Sequence, residues 1–249
     1  MYDSEPTQTS QNDKNYELLR QSELGVLLTR AYIGAVNHDL RLCEVNIVDL
    51  DENSNSTAFA RPKWGKGNTS GRHEVHIRNS NLDEVLDHYK KELAVRPAVV
   101  ARVADMLGIN RREVTPQLFH VFTMLHELGH VSDFFDHEDD PEAYAREIRK
   151  ARLSLPLGYL RTSKILDPKS DIHRKILAHR DELFTMYKVD TLDDLLALHH
   201  DKYRDMPHEK HADYFAVEVL ELNPTLLDQL SRDTVEPYRN YPGFGQSAA

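Results

Sequence analysis

Helical periodicity dominates the pattern of apolar and polar residues along this chain. Apolar residues recur at helical spacing from Tyr16 to about Asn37, and again in nearly every segment after the first third of the sequence. Thr115-Pro116 and Asp140-Pro141 each place a capping residue before a proline, which is typical of a helix start. The later helices are predicted at about 81–94, 97–107, 116–135, 141–153, 171–187, 191–203, 207–222 and 225–231.

Strand-like patterns are confined to the first third of the chain. Leu42–Leu50 is a short apolar run, Thr57–Ala60 is a second candidate, and His73–Ile77 alternates in the manner of a third strand. A glycine-rich stretch, PKWGKGNTSG, lies between the last two and predicts a loop. We therefore predict an α+β fold that is predominantly helical, with a small sheet near the N-terminus.

Length and composition narrow the class of protein. The chain has 249 residues, enough for a sizeable core, and a single cysteine, which excludes internal disulfides, all-cysteine zinc sites and iron–sulfur clusters within one chain. Residues 1–13 are polar and predict a disordered tail, followed by one domain over 14–249. The sequence has no apolar run of membrane-spanning length and no signal-peptide pattern, so we expect a cytoplasmic protein without a membrane partner.

Charge is distributed unevenly. Residues 144–180 contain ten Lys and Arg against three Asp and Glu, a balance of +7. Because the net charge of the whole chain is −10, the remaining residues carry −17. We interpret residues 141–205 as a basic helical insertion. Its charge either pairs with the acidic body or binds an anionic partner such as nucleic acid. Only two aromatic residues interleave with the basic ones, which does not favour base stacking.

The most informative motif is His126-Glu127-Leu128-Gly129-His130, an HExxH pattern inside the predicted helix 116–135. Residues four apart lie on one face of a helix, so His126 and His130 can bind the same metal ion. Glu127 points about 100° away from His126, where it can act as general base on a water activated by the metal. Gly129 removes a side chain beside the two histidines at a cost in helix stability of about 1 kcal/mol.

A catalytic zinc site of this type needs a third protein ligand, and three candidates remain open. Glu209 lies on an apolar helix stripe together with Asp213, which could accept a hydrogen bond from a ligand histidine. Asp136 would be the ligand if the chain turned sharply after the second histidine, but such a turn normally needs glycine where this chain has Asp133. The remaining candidate is His211 or a neighbouring histidine, drawn from His199, His200 and His208.

These residues resemble the zincin metallopeptidases. HELGH is similar to their active-site helix, and the segment from Glu209 to Ala216 resembles the E-x-x-A-[ND]-x-F-A pattern of the ImmA/IrrE-like branch and the E-x-x-x-D of gluzincins. The resemblance implies zinc bound by His126, His130 and Glu209, with Glu127 as general base and Asp213 orienting a ligand. It also implies a small twisted sheet beside the HExxH helix, whose edge strand, here His73–Ile77, aligns an extended peptide.

We therefore expect a zinc-dependent metallopeptidase, an endopeptidase that acts on a protein or peptide substrate. The alternative is a zinc-binding regulatory or nucleic-acid-associated protein that uses residues 144–180 and has no protease activity. Five side chains near the ligand helix are candidates for stabilising the oxyanion, and the sequence does not choose among them. They are His199, His200, Tyr203, His208 and Tyr214.

Overall fold

The part of the chain that the structure describes is mostly helical and contains one three-stranded sheet, which confirms the predicted α+β class. No helix in the described part of the chain is both long and apolar enough to cross a membrane. The computed structural model describes residues 10–21, 24–50, 57–78, 83–84, 87, 97–158, 160 and 165–232. The predicted helix at 81–94 lies almost entirely outside these residues.

Two compact units make up the fold. The first comprises Met1–Glu138 and His211–Ala249, and the second comprises Asp139–Lys210, which includes the predicted insertion at 141–205. The second boundary between them falls between Lys210 and His211, inside the helix Pro207–Glu221.

The first unit begins with helices α1 (Gln11–Leu19) and α2 (Gly25–His38). Ser10 and Asp13 form a capping box at the start of α1, so residues 10–13, which composition predicted to belong to a disordered tail, take part in a helix start. A 3-10 helix covers Leu40–Glu44, where a strand was predicted. The Asp39 side chain accepts a hydrogen bond from the Arg41 N–H and caps this helical turn, which delays the strand.

The sheet consists of β1 (Asn46–Asp49), β2 (Ala58–Arg61) and β3 (Glu74–Ile77) in the order β1-β3-β2. β3 pairs in parallel with β1 and antiparallel with β2. The prediction that His73–Ile77 forms the edge strand is therefore wrong. β3 has a partner on each side, and its Val75 and Ile77 are fully buried. β2 instead lies at an edge of the sheet, in contact with the HExxH helix.

Three more helices of the first unit lie in its described residues: α3 (Pro97–Leu107), α4 (Pro116–Asp136) and α10 (Pro224–Arg232). Helix α4 contains the HExxH motif. Thr115 caps it by accepting a hydrogen bond from the Leu118 N–H, and Pro116 occupies its first turn. Its apolar residues are largely buried, so α4 is a core helix and holds the motif rigidly.

The second unit contains α5 (Pro141–Leu153), α6 (Asp171–Ala178), α7 (Arg180–Tyr187) and α8 (Leu192–Arg204). The predicted helix 171–187 is thus interrupted at His179, which ends α6 and precedes α7. Helix α9 (Pro207–Glu221) follows α8 and crosses from the second unit into the first. A small core in the second unit consists of Leu157, Ile165, Ile176 and Leu195, and partly buried apolar residues of α6, α7 and α8 pack against it.

Candidate metal centre

Two histidines of α4 provide the first half of the centre. His126 is buried at 5% exposure, His130 is half-buried, and their ring centroids lie 4.7 Å apart at an interplanar angle of 81°. This follows from the pitch of the helix, which places residues four apart one turn from each other on the same face. Both imidazoles are therefore within reach of one ion.

Glu209 completes a group of three. Its carboxylate lies near the start of α9, is only 2% exposed, and offers an oxygen close to the two imidazoles. One ligand atom from each of His126, His130 and Glu209 lies within 4.8 Å of the other two. Ligands of a tetrahedral ion at 2.0–2.1 Å stand about 3.4 Å from each other, so a small inward adjustment satisfies that geometry. The donor set and its burial fit a metal ion.

Close contact between α4 and α9 explains the glycine of the motif. A Cβ atom on Gly129 would lie 2.8 Å from the Ala212 Cα and 2.9 Å from the Phe215 Cβ. The first of these is a backbone atom, which cannot move aside as a flexible side chain can. Gly129 therefore allows the two helices to approach closely, and Ala212 follows Glu209 by three residues on the same helix.

Asp213 lies one turn beyond Glu209 on α9 and contacts the ligand histidine directly. Its Oδ1 is 2.9 Å from Nδ1 of His126, and its Oδ2 is 3.3 Å from Nε of Arg102 on α3. An imidazole that donates through Nδ1 keeps its lone pair on Nε2, the nitrogen that is then able to bind a metal. Asp213 thus lies where a carboxylate could orient His126.

Glu209 is itself held by neighbours from the end of α8. Nη1 of Arg204 lies 3.2 Å from its Oε2, and the side chains of these two residues are 17% and 3% exposed. Burial, together with the Glu209 carboxylate to which its hydroxyl donates a hydrogen bond, raises the pKa of Tyr203. A buried carboxylate is costly unless positive charge and donors compensate it, and these residues supply both.

Glu127 lies against the edge of the sheet. Its Oε2 accepts a hydrogen bond of 2.7 Å from the backbone N–H of Ala60 in β2. The Thr57 carbonyl accepts a bond from the Arg78 N–H on the β3 side. Backbone groups alternate along a strand, so Ala58 and Ala60 direct theirs away from β3. Glu127 therefore faces the open side of β2, with one carboxylate oxygen oriented by the strand.

The other sequence candidates lie in different surroundings. Asp136 is on the last turn of α4, half exposed, and its Oδ1 pairs with Nη1 of Arg41 at 2.5 Å, so it is not part of the group. His211 follows Glu209 by two residues, which places it about 200° round the helix. Among the oxyanion candidates, Tyr214 is 59% exposed, and Nδ1 of His199 accepts a hydrogen bond from the Leu157 N–H.

A buried histidine beside the centre was not predicted to have a role. Nδ1 of His73 accepts a hydrogen bond from the Lys63 N–H, and its Nε2 is 2.8 Å from Oε1 of Glu138. Its ring packs on Phe134, which also stacks with His130, and burial lowers the pKa of His73. These contacts attach the loop between β2 and β3 to the end of α4.

The contacts of Glu209 and Glu127 were also absent from the sequence prediction. Arg204 precedes Glu209 by five residues and belongs to no motif, and the donor from Ala60 is a backbone group that residue identity does not reveal. Tyr203 was named only as a candidate for another role. The chain matches no protein-family model, no curated protein and no solved structure.

Proposed function

We propose that this protein is a zinc-dependent metallopeptidase of zincin-like architecture, with His126, His130 and Glu209 as metal ligands. The observation that carries the proposal is the buried group of two imidazoles and one carboxylate within 4.8 Å. Two histidines and one glutamate form a well-known ligand set of catalytic zinc, which leaves a fourth position open. In the part of the chain that the structure describes, the group contains three ligands, and this supports a catalytic rather than a closed structural site.

Zinc bound by these ligands supplies Lewis acidity, which lowers the pKa of water and polarises a carbonyl group. Glu127 follows His126 on α4, and its Oε2 accepts a hydrogen bond from the Ala60 N–H. The other carboxylate oxygen takes the proton of the attacking water and delivers it to the departing amine. Asp213 holds His126 in the tautomer that binds the metal.

The edge of β2 is the proposed place for the substrate. Ala58 and Ala60 direct backbone groups to the open side of the strand. The Ala60 N–H is held by Glu127, so an extended peptide would pair with the backbone groups of Ala58 and with the Ala60 carbonyl. A peptide paired there lies beside Glu127, because the Ala60 N–H contacts that carboxylate. Main-chain pairing of this kind favours peptides over other amides as the substrate class.

The decisive experiment compares Glu127→Gln with the wild type in zinc content and in hydrolysis. The probes are denatured, fluorescently labelled casein and a random-sequence peptide mixture read by mass spectrometry. The variant should retain one zinc per chain and lose hydrolysis by at least about 100-fold, because only the proton acceptor is removed. Glu142→Gln, an exposed glutamate of α5, is the matched control.

Two results contradict the proposal. Cleavage of the casein or the peptides by E127Q at the wild-type rate excludes Glu127 as the base. Zinc binding that survives loss of both histidines excludes the metal site itself. Zinc retained by a wild type that cleaves neither probe instead favours the zinc-binding regulatory alternative.

A further inference from the structure

The three-stranded sheet has two edges, and different groups lie against them. At β1, the Asn15 side chain of α1 takes the place of a neighbouring strand. Its Nδ2 donates a hydrogen bond of 2.8 Å to the Val45 carbonyl, and its Oδ1 accepts one of 3.1 Å from the Ile47 N–H. At β2, the Ala60 N–H contacts Glu127 of the candidate centre. The β2 edge is therefore the one at which an extended peptide can pair with the sheet beside that centre.

An aromatic stack lies on the face of the sheet that points away from the core. Val75 and Ile77 are buried in the core, so the side chains that alternate with them lie on the opposite face. On this face Phe59 of β2 is paired in register with His76 of β3, and their rings stack with centroids 4.4 Å apart at an interplanar angle of 12°. Phe59 is half-buried and belongs to the edge strand, so its ring lies between His76 and the open edge.

The charged groups around this stack compensate one another. Nη1 of Arg61 lies 3.4 Å from Oε2 of Glu74, and the same oxygen lies 2.9 Å from Nε2 of His76. The Arg61 guanidinium also lies over the Phe59 ring, 5.4 Å from its centroid. One cation and one anion therefore cancel, and this face offers an aromatic ring without a net charge at the edge. A peptide side chain placed beside the ring would be selected for apolar contact and not for its charge.

We propose that Phe59 determines the specificity of the β2 edge and selects extended peptides with a large apolar or aromatic residue beside it, an inference that rests on the proposed function. Phe59 lies between Ala58 and Ala60, the residues whose backbone groups would hold the peptide. In antiparallel pairing, the peptide residue opposite Phe59 occupies a position without backbone hydrogen bonds, where side chains approach most closely. Cross-strand pairs of an aromatic residue with an aromatic or β-branched one favour such a residue by up to about 5-fold.

The test measures binding of two fluorescent peptides to the full metal-free chain by anisotropy. In one decapeptide, Ser and Thr alternate around a single central Phe, and in the other that Phe is replaced by Ser. The variants are Phe59→Thr, which keeps a residue that favours strands, and the conservative Phe59→Tyr. The matched control is Val48→Ala. Val48 of β1 is also paired in register with His76, but it lies at the edge that Asn15 occupies.

The wild type, F59Y and V48A should bind the Phe peptide about 3-fold to 5-fold more tightly than the Ser peptide, whereas F59T should bind both equally. The inference is overturned if the wild type does not distinguish the two peptides, or binds neither of them up to about 1 mM. It is also overturned if F59T retains the preference. Loss of the preference in V48A as well as in F59T would show that the residues around His76 act only on the sheet itself, which contradicts a specific role for Phe59.

Hydrolysis separates this inference from the proposed function. The zinc-loaded wild type is incubated with the random-sequence peptide mixture, and mass spectrometry gives the residue frequency at each position around the cleaved bond. Cleavage without an apolar preference at any position contradicts the role of Phe59 and leaves the peptidase standing. A preference in binding without any cleavage contradicts the peptidase and leaves Phe59 as the determinant of a peptide-binding edge.

Discussion

Replacing Gly129 by alanine tests whether close packing of α4 on α9 holds the metal ligands in place. The added Cβ would lie 2.8 Å from the Ala212 Cα and 3.0 Å from the Ala212 carbonyl oxygen. Carbon atoms in contact normally lie about 3.5–4.0 Å apart, so the helix backbones must separate by roughly 0.7 Å. Glu209 is on the same helix as Ala212 and moves with it, whereas His126 and His130 remain on α4.

Two opposing effects determine the stability of this variant. Alanine favours the helix over glycine by about 1 kcal/mol, and overpacking costs about 1–3 kcal/mol. The free energy of unfolding should therefore fall by no more than about 2 kcal/mol. Metal–ligand distances in bound sites stay within about 0.2 Å of their usual values, so a displaced Glu209 must be drawn back when zinc binds. Zinc affinity should therefore decrease more steeply, by roughly 10-fold to 100-fold. The variant separates ligand geometry from stability because the two quantities change to different extents.

Zinc affinity is measured by titration against a chromophoric chelator, and stability by urea denaturation of the metal-free protein. Gly34→Ala is the matched control. Its Cβ would meet Asn223 Nδ2 at 2.7 Å and Val219 Cγ1 at 3.2 Å, which are ends of side chains that can move aside. It should retain wild-type zinc affinity. If G129A binds zinc as tightly as G34A and the wild type, the helix contact does not set the ligand positions and this reasoning is wrong.

Two further predictions concern residues around the centre. Asp213→Asn keeps the shape of the side chain but removes the charge beside His126, so zinc affinity should fall about 10-fold in the same titration. The control Asp228→Asn removes an exposed carboxylate from α10 and should leave zinc affinity unchanged. If D213N binds zinc as tightly as D228N, Asp213 does not orient His126. Burial lowers the pKa of His73, so the folded state favours the neutral imidazole. The stability that His73 contributes is therefore fully present above the ordinary histidine pKa of about 6.5 and is lost as the pH falls below that value. Urea titrations of the metal-free protein should show this loss below about pH 6.5, and the free energy of unfolding should depend less steeply on pH in His73→Gln. If the wild type and this variant have the same pH dependence, the assignment to His73 is wrong.

Local signals were sufficient to predict much of the fold. Thr115-Pro116 and Asp140-Pro141 mark where α4 and α5 begin, and the structure starts both helices at those prolines. Caps and helical periodicity act between residues a few positions apart, so they can be recognised in the sequence. The pairing of His126 with His130 is local in the same sense, because one helical turn separates them.

Other features of the fold depended on contacts between distant residues. The edge strand was predicted wrongly because the alternation in His73–Ile77 does not tell whether the strand has one neighbour or two. The apolar run from Leu42 was predicted as a strand, but the first part folds as a 3-10 helix that Asp39 caps. Short apolar runs are compatible with both structures, and packing decides between them.

The sequence by itself determined the helix that carries His126, Glu127 and His130, since one turn of a capped helix sets their spacing. Only the tertiary structure decided which distant carboxylate joins them, because Glu209 is separated from His130 by 79 residues and reaches it through the packing of α9 on Gly129. It likewise decided that β2, and not β3, presents an open edge to Glu127. Periodicity and capping act over one or two turns, whereas helix packing and strand order depend on burial across the whole chain.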